Sequence, residues 1–417
     1  MERIYVKGGH RLKGDVQIGG MKNSILPVIF SCLLISGDCI IDNAPRVSDV
    51  ENALSILRSM GAKAEFCDTH TILINTENAI PRVEDIDLVG KMRASSYLMG
   101  AMLSRFGEVV IPMPGGCNFG ARPIDLHLKG FSSLGAECIE KNGKIHIKAN
   151  KKQKCNKIIL DKISVGATIN MVLASVLRDG TTIIENVAKE PHVKDLIIFL
   201  NMCGARIKHC ESFIACKGVK RLYGTRFKVY PDMIEALTYI TFAGICKGKL
   251  NLLGVNNDHI ENELKLFSQM GFKLKKYTNH LTVSVKKLVG ADVVTAPYPF
   301  FPTDLHPQFS ALLCYTKNGG TIREGVFPTR FAYADELVKM GARIEREGEA
   351  IRILPSALKG AELDATDLRA GACLVGASLG AEGESTINNV NYIVRGYENI
   401  VGKISSIGGK IKLVKGE

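Results

Sequence analysis

The sequence contains no tryptophan, and aromatic residues make up only 6% of its 417 positions. It also lacks an apolar run of the roughly 20 residues that a membrane-spanning helix needs. The best candidate, residues 25–35, is interrupted by Pro27. The opening MERIYVKGGH has no apolar stretch after its charges and so does not resemble a secretory signal. These absences predict a compact cytoplasmic protein that does not insert into a membrane.

Cysteine pairs are absent as well: the twelve cysteines are scattered, and none forms a CxxC motif. A disulfide framework and a zinc site built from cysteine pairs are therefore not expected. We expect no metal and no cofactor. Most of the thiols are predicted to be reduced and to fill the core, with Cys117 as the exception.

The charge is strongly basic, with 54 Lys and Arg against 42 Asp and Glu, a net charge of +12. Such a protein can bind nucleic acid, membrane surfaces or small anions. Nucleic-acid binding is disfavoured because aromatic residues are scarce and do not interleave with basic clusters. The densest cluster, KKQKCNK at 151–157, is typical of a solvated loop. Small anionic ligands fit the composition better.

An internal repeat dominates the sequence. One phrase recurs as LRSMGAKAEF, FSSLGAECIE, LNMCGARIKH, FSQMGFKLKK, LVKMGARIER and ISSIGGKIKL. Its glycines lie 74, 69, 67, 70 and 67 residues apart, at Gly61, Gly135, Gly204, Gly271, Gly341 and Gly408. A stretch with apolar residues at helical spacing precedes each glycine, and an alternating stretch typical of a strand follows it. The glycine is predicted to end the helix.

A second strand that starts with glycine lies upstream of each helix, as in GDCIIDNAP and GTTIIENVA. The repeat is thus strand, loop, helix, strand, within about 70 residues, longer than common solenoid repeats. Three units per domain give two α/β domains of about 200 residues each, a usual domain size. The first strand, RIYVKGG, is predicted to pair with the last domain. The expected domains are residues 1–20 with 229–417, and residues 21–228, with a ligand cleft between them.

A glycine-rich loop, PGGCNFGARPID at 114–125, carries Cys117. One interpretation is a tight turn with an incidental thiol, because glycine is a common turn residue. The other is a mobile lid that approaches a ligand closely.

Six motifs together resemble one family. They are KNSILP (22–27), PGGCNFGARPIDLH (114–127), KISVGAT (162–168), FPTDLHPQF (301–309), DLRAGA (367–372) and RGYE (395–398). In order and spacing they are similar to the UDP-N-acetylglucosamine enolpyruvyl transferases (1-carboxyvinyltransferases), which carry out the first committed step of bacterial peptidoglycan synthesis. The resemblance covers essentially the whole chain. It implies two inside-out α/β barrel-like domains, each of three repeated units.

The resemblance also implies two substrates, phosphoenolpyruvate and UDP-N-acetylglucosamine, and no nucleic acid. The donor carries a phosphate and a carboxylate, so its pocket needs several cations. The positions that match the family in this role are Lys22, Arg122, Arg330, Arg369 and Arg395. Each one alone would more readily be read as a solvated surface charge.

The sugar nucleotide is expected along residues 122–126 and 162–165. The GATIN segment that follows is either a helix start that binds the diphosphate or an ordinary helix start, and both interpretations can hold together. The residues implied are Arg122, Pro123, Ile124, Asp125, Leu126, Lys162, Ile163, Ser164 and Val165, completed by Asn23, Arg93, Asp304 and Val326.

Two residues carry the expected chemistry. Asp304 is implied to take or orient the proton of the sugar 3-hydroxyl; the alternative is a helix N-cap before LHPQFSALL. Cys117 is implied to be the acid of a lid loop, to add to phosphoenolpyruvate covalently, and to be the thiol that fosfomycin alkylates in this family.

The chain departs from the family pattern at four positions. Met233 stands where arginine is usual and Leu237 where glycine is usual, and His192 and Val394 are also atypical. Two alternatives therefore stay open. One is a catalytically weak paralogue that binds sugar nucleotide, and the other is a transferase similar to 5-enolpyruvylshikimate-3-phosphate synthase, with the same donor and another acceptor. The sequence sets neither the turnover rate nor the oligomeric state.

Overall fold

In the computed structural model the chain forms two compact units. The description covers residues 2–83, 86–115, 124–150 and 157–415, without the side chains of Ile86 and Lys91. The described residues between Gly20 and Tyr230 form the central unit, and those before Gly20 and after Tyr230 form the terminal unit. Within the described residues, no helix is long and apolar enough to cross a membrane.

The helices, in chain order, are α1 Lys22–Ser31, α2 Ser48–Ser59, α3 Ile86–Lys91, α4 Tyr97–Phe106, α5 Asp125–Ser133, α6 Val165–Ser175, α7 Pro191–Met202, α8 Met233–Ile245, α9 Glu261–Gln269, α10 His306–Cys314, α11 Ala332–Lys339, α12 Leu368–Gly380, α13 Asn391–Val394 and α14 Ile400–Ser406. Short 3-10 helices cover Cys32–Leu34, Arg93–Ser96 and Asn257–Ile260.

The strands are β1 Glu2–Lys7, β2 Lys13–Gln17, β3 Ile35–Ser36, β4 Cys39–Asp42, β5 Lys63–Phe66, β6 Thr71–Asn75, β7 Glu108–Pro112, β8 Glu137–Lys141, β9 Lys144–Lys148, β10 Lys157–Ile159, β11 Thr181–Glu185, β12 Arg206–His209, β13 Phe213–Lys217, β14 Leu222–Tyr223, β15 Arg226–Lys228, β16 Lys249–Leu253, β17 Phe272–Lys276, β18 His280–Val285, β19 Val293–Thr295, β20 Gly320–Glu324, β21 Arg343–Glu347, β22 Ala350–Leu354, β23 Glu362–Asp364, β24 Glu384–Asn388 and β25 Lys410–Lys415.

The sheets repeat one pattern. In the central unit the strand orders are β15-β4-β6-β5, β7-β9-β8 and β10-β11-β13-β12. In the terminal unit they are β2-β16-β18-β17, β19-β20-β22-β21 and β23-β24-β1-β25. Each four-stranded sheet has one parallel pair at an edge and two antiparallel pairs. In each of these six sheets, one strand separates the strand that starts after a glycine from the strand that follows the glycine of the recurring phrase. The predicted sixfold repeat is therefore confirmed.

The glycines of the recurring phrase end their helices as predicted. Their φ angles lie between +86° and +101°, a region that side chains strongly disfavour. The helices they end are α2, α5, α7, α9, α11 and α14, and a strand begins within two residues of each glycine.

The other long helices form the interior of the units. Every residue of α8 and α10 is buried, and so is nearly all of α12; the three pack against one another in the terminal unit. In the central unit α4 packs against α1 and α6. Helices that are apolar all round belong in a core, while the sheet strands alternate between buried and exposed residues. Helices therefore lie inside and sheets outside, as an inside-out arrangement requires.

The first strand pairs where the sequence predicts. β1 lies between β24 and β25, antiparallel to both, with Ile4 opposite Ile387 and Leu413. The described cysteines are free thiols. As predicted, most of them are buried in the core: Cys32, Cys39, Cys203, Cys216, Cys246, Cys314 and Cys373.

Hydrogen bonds within each unit hold the chain where it passes from one unit to the other. In the terminal unit the amide of Gly19 donates to Glu235 Oε2 at 2.8 Å, and Glu235 is paired with Lys403 at 2.6 Å. In the central unit the amide of Met21 donates to the carbonyl of Tyr230 at 2.8 Å. The start of α1, which carries Lys22 and Asn23, is thereby fixed.

Candidate active site

Asp304 is held by two arginines in the terminal unit. Its Oδ1 accepts from Arg330 Nη1 at 2.8 Å, and its Oδ2 accepts from Arg369 Nη2 at 3.0 Å. The arginine side chains are 1% and 2% exposed, whereas that of Asp304 is 29% exposed. The two buried cations thus present one partly accessible carboxylate.

The electrostatics keep this carboxylate ionised. Burial raises the pKa of Asp304, but the charges of Arg369 and Arg330 outweigh burial and hold it well below its usual range. Such a group is a strong hydrogen-bond acceptor and a weak base. It can orient a hydroxyl, and it can take the proton when that hydroxyl becomes acidic during reaction.

The alternative of an N-cap at Asp304 is wrong. Helix α10 begins at His306, its N-cap residue is Leu305, and no side chain caps it. The carboxylate points to Arg330 and Arg369 instead, because their two positive charges are better partners than backbone amides.

Arg369 is positioned by the helix that carries it and by a buried polar cluster. The carboxylate of Asp367 accepts from the amide of Arg369 at 2.8 Å and caps the start of α12. The Arg369 side chain donates from Nη1 to the hydroxyl of Tyr397 at 3.1 Å. That hydroxyl also accepts from Gln308 at 2.9 Å and lies 3.0 Å from the hydroxyl of Thr238. These contacts set the direction from which Arg369 meets Asp304.

Lys22, the first residue of α1, is paired with a partner that sequence reasoning missed. Its Nζ lies 3.0 Å from Asp49 Oδ2, and the two side chains are 11% and 4% exposed. Asp49 stands in the first turn of α2, where an acidic residue is common, so nothing in the sequence marks it. Asn23, next to Lys22, is half-buried.

A third buried carboxylate supports the start of α1. Asp195 on α7 accepts from the hydroxyl of Ser24 and, at 3.0 Å, from the amide of Tyr230. Its Oδ1 is buried and has no hydrogen-bond partner within the described part of the chain. Burial raises the pKa of Asp195 to about 6.

Several of the residues predicted for the sugar nucleotide lie at two helix starts in the central unit, whereas Asp304 and Val326 belong to the terminal unit. Helix α5 begins at Asp125 and α6 at Val165, and the hydroxyl of Ser164 accepts from the amide of Ala167 at 3.3 Å. The N-terminal ends of helices attract anions. The expected helix start at GATIN is confirmed.

His127 links these two helix starts. Its ring lies against Gly166, where a Cβ would come within 2.9 Å of the imidazole, and its Nδ1 lies 2.8 Å from Asn170 Nδ2. Burial, with a further contribution from the charge of Arg93, lowers the pKa of His127 to about 3. The histidine is therefore neutral, and the cation of Arg93 lies close to it.

The remaining described positions vary in exposure. Ile124 is buried, Leu126, Val165, Val326 and Arg395 are half-buried, and Asp125, Lys162 and Ile163 are exposed. Arg395 caps the end of α13. Cys117, Arg122 and Pro123 lie outside the described residues.

Two of the atypical residues lie in α8. Leu237 is fully buried and Met233 is 9% exposed, so both act as core residues of the terminal unit. The helix keeps a normal start, because the carboxylate of Asp232 accepts from the amides of Ile234 and Glu235. His192 follows Pro191 in the first turn of α7, and Val394 ends α13 with 39% exposure.

Across the described residues no group of histidine, cysteine or acidic side chains could hold a metal ion.

Comparison with known proteins identifies the family of the chain. Residues 6–404 match the family model described as EPSP synthase (3-phosphoshikimate 1-carboxyvinyltransferase). A UDP-N-acetylglucosamine 1-carboxyvinyltransferase of Halothermothrix orenii is 42% identical over 417 residues, with 100% of both chains covered. One from Carboxydothermus hydrogenoformans is 42% identical over 421 residues, covering 100% of this chain and 99% of the relative.

The fold is also that of a solved relative. The crystal structure of the enolpyruvyl transferase NikO from Streptomyces tendae matches with a TM-score of 0.90 and 24% identity, covering 100% of this chain and 99% of that one. The predicted enolpyruvyl transferase fold is therefore confirmed. Because it is 42% identical to these two relatives along its whole length, this chain belongs to the family of UDP-N-acetylglucosamine 1-carboxyvinyltransferases.

Proposed function

We propose that this protein transfers the enolpyruvyl group of phosphoenolpyruvate to the 3-hydroxyl of UDP-N-acetylglucosamine and releases inorganic phosphate. The observation that carries this proposal is the 42% identity, along the whole chain, to relatives named for that acceptor. The predicted site residues support it, because Asp304 is kept ionised while remaining partly accessible. A cytoplasmic location is part of the proposal.

The reaction assigns distinct roles to the residues. C3 of phosphoenolpyruvate gains a proton, for which Cys117 is the proposed acid. The oxygen of the sugar 3-hydroxyl then bonds to C2, and its proton passes to Asp304. In the second half C3 returns a proton to the Cys117 thiolate, the C2–O bond to phosphate breaks, and phosphate leaves with the bonding electrons and takes up the proton held by Asp304.

The low pKa of Asp304 suits this order of reaction steps. A weakly basic carboxylate does not remove the proton from a resting hydroxyl; it orients the hydroxyl by accepting its hydrogen bond. The proton transfers as the oxygen bonds to C2 and the hydroxyl becomes strongly acidic.

The donor is proposed to meet the cations that match the family: Lys22, Arg122, Arg330, Arg369 and Arg395. Lys22 is paired with Asp49, and Arg330 and Arg369 are paired with Asp304. Those pairs hold the side chains in fixed directions, which lowers the ordering cost when an anionic substrate binds.

Protection against heat distinguishes the two acceptors. A ligand at about 100 times its Kd stabilises the native state by about 2.7 kcal/mol, which in units of this size is about 5–10 °C in Tm. We expect UDP-N-acetylglucosamine to give such a shift and shikimate 3-phosphate to give none. Protection by shikimate 3-phosphate alone would assign the chain to the other acceptor.

A further inference from the structure

Glu324, the last residue of β20, is a fully buried carboxylate that receives many hydrogen bonds. Its Oε1 accepts from the hydroxyl of Thr295 at 2.6 Å and from the amides of Val326 and Phe327 at 2.9 Å each. Its Oε2 accepts from the hydroxyl of Thr303 at 2.9 Å and lies 2.8 Å from His306 Nδ1. A buried carboxylate with this many donors stays ionised.

Apart from Thr295 in β19, the partners of Glu324 belong to the two segments that carry proposed site residues. Thr303 and His306 lie on either side of Asp304 in the chain, and the amide of Val326 is bound directly. One carboxylate therefore joins the segment 303–306 to the turn 324–327.

Thr303 also connects Glu324 to the arginine that holds Asp304. The Thr303 hydroxyl donates to Glu324 and accepts from Arg330 Nη1 at 3.1 Å, while the same Nη1 donates to Asp304. The cluster thus combines two carboxylates, Asp304 and Glu324, with two buried guanidinium groups, Arg330 and Arg369. Loss of one negative charge leaves an excess of positive charge around Asp304.

His306 fixes the other end of the segment. Because an ionised carboxylate can only accept, Nδ1 of His306 carries the hydrogen toward Glu324. Burial lowers the pKa of His306, against the opposing effect of Glu324, so the ring is neutral. Its Nε2 then accepts from the hydroxyl of Tyr333 at 2.7 Å. The imidazole is held from both sides and cannot turn.

We propose that Glu324 is a positioning residue of the transfer reaction, which acts through Asp304 by fixing residues 303–306 and the turn at Val326 and touches neither substrate. The inference rests on the proposed function. Displacement of a reacting group by about 1 Å can cost about 100-fold in rate, so the support of Asp304 is a sensitive point.

Glu324→Gln is the suitable perturbation because it keeps the size of the side chain. The amides of Val326 and Phe327 can only donate, so the glutamine oxygen must face them. Its NH2 group then faces Thr303 and His306, whose hydroxyl and imidazole can both change to accepting. The fold is retained, but the charge is lost and the hydrogen bonds on both sides of Asp304 are reversed.

The test is a double-mutant cycle in the full chain with Glu324→Gln, Asp304→Asn and the double variant, measured as phosphate release with both substrates. We expect Glu324→Gln to lower kcat about 10- to 100-fold, with KM for UDP-N-acetylglucosamine changed much less. In the Asp304→Asn background the same change is expected to have almost no further effect. Glu336→Gln is the matched control, because Glu336 is a buried carboxylate of the same unit whose partners are Lys339 and the amide of Asp364.

Equal losses of kcat in both backgrounds would overturn the inference, because a purely structural role acts independently of Asp304. Unchanged kcat in Glu324→Gln would do the same. If that variant fails to fold, Thr303→Val replaces it in the cycle, since it removes the hydroxyl that joins Glu324 to Arg330 and must show the same dependence on Asp304. Absence of phosphate release by the unaltered protein would instead remove the proposed function.

Discussion

Replacing Asp304 by alanine tests the electrostatic description of the site. In the protein, Arg330 and Arg369 are 1% and 2% exposed, and both donate to this carboxylate. Asp304→Ala leaves two buried positive charges without the anion between them. Removing one partner of a buried ion pair costs about 3–5 kcal/mol, and in a protein of this size that lowers Tm by about 10 °C.

The assay is thermal unfolding with and without inorganic phosphate. Because a free anion can take the place of the missing carboxylate, we expect phosphate to raise the Tm of Asp304→Ala more than that of the unaltered protein. Asp364→Ala is the control. Asp364 lies in the same unit, but its side chain is 51% exposed and its ion pair with Lys339 is long, at 3.9 Å. Its cost should stay within about 0.5 kcal/mol.

The reasoning is refuted if the Tm of Asp304→Ala stays within the range of the Asp364→Ala control. It is also refuted if phosphate protects the two variants equally, because the arginines would then not be the groups that gain an anion.

Three further predictions concern Lys22, Cys117 and Asp195. Lys22→Ala should abolish donor-dependent turnover and also lower the free energy of unfolding by about 3 kcal/mol, because Asp49 is left buried without its cation. Adding Asp49→Asn should restore Tm but not turnover, and recovery of turnover would show that Lys22 does not bind the donor. Cys117→Asp should keep substantial phosphate release but form no mass adduct with fosfomycin, because a carboxylate can carry a proton but attacks an epoxide poorly. Cys117→Ser should lose both phosphate release and the adduct. An adduct that survives in Cys117→Asp would place the reactive thiol elsewhere. For Asp195, whose pKa rises to about 6 on folding from an ordinary 3.8, the folded protein holds a proton that the unfolded chain has lost. The free energy of unfolding of the protein, measured with urea relative to that of Asp195→Asn, should therefore fall by about 3 kcal/mol between pH 4 and pH 6 and stay constant above pH 6. A difference that does not change with pH would contradict the buried state of this carboxylate.

The repeat could be read from the sequence because it is encoded locally. A glycine that ends a helix at positive φ, and a strand of alternating apolar and polar residues that follows it, can be recognised without knowledge of distant residues. For this reason Gly61, Gly204 and the four related glycines, and the strands around them, were found at their true places. That the first strand pairs within the last domain followed from counting complete units, and the structure gives its partners as β24 and β25.

The partners of the site residues could not be predicted, since they come from distant parts of the chain. Asp304 meets Arg330 and Arg369, which lie 26 and 65 positions away. Asp49 and Glu324 look like ordinary acidic residues at the start of a helix and the end of a strand. Only the packing of several elements around these carboxylates gives them their burial and their partners.

The most direct test of the proposed function is steady-state phosphate release by the purified protein with phosphoenolpyruvate and UDP-N-acetylglucosamine. We predict that phosphate appears only when both are present, in equal amount to the sugar nucleotide consumed, and that the product gains the mass of an enolpyruvyl group. Release that does not depend on UDP-N-acetylglucosamine, or that requires shikimate 3-phosphate in its place, would contradict the proposal.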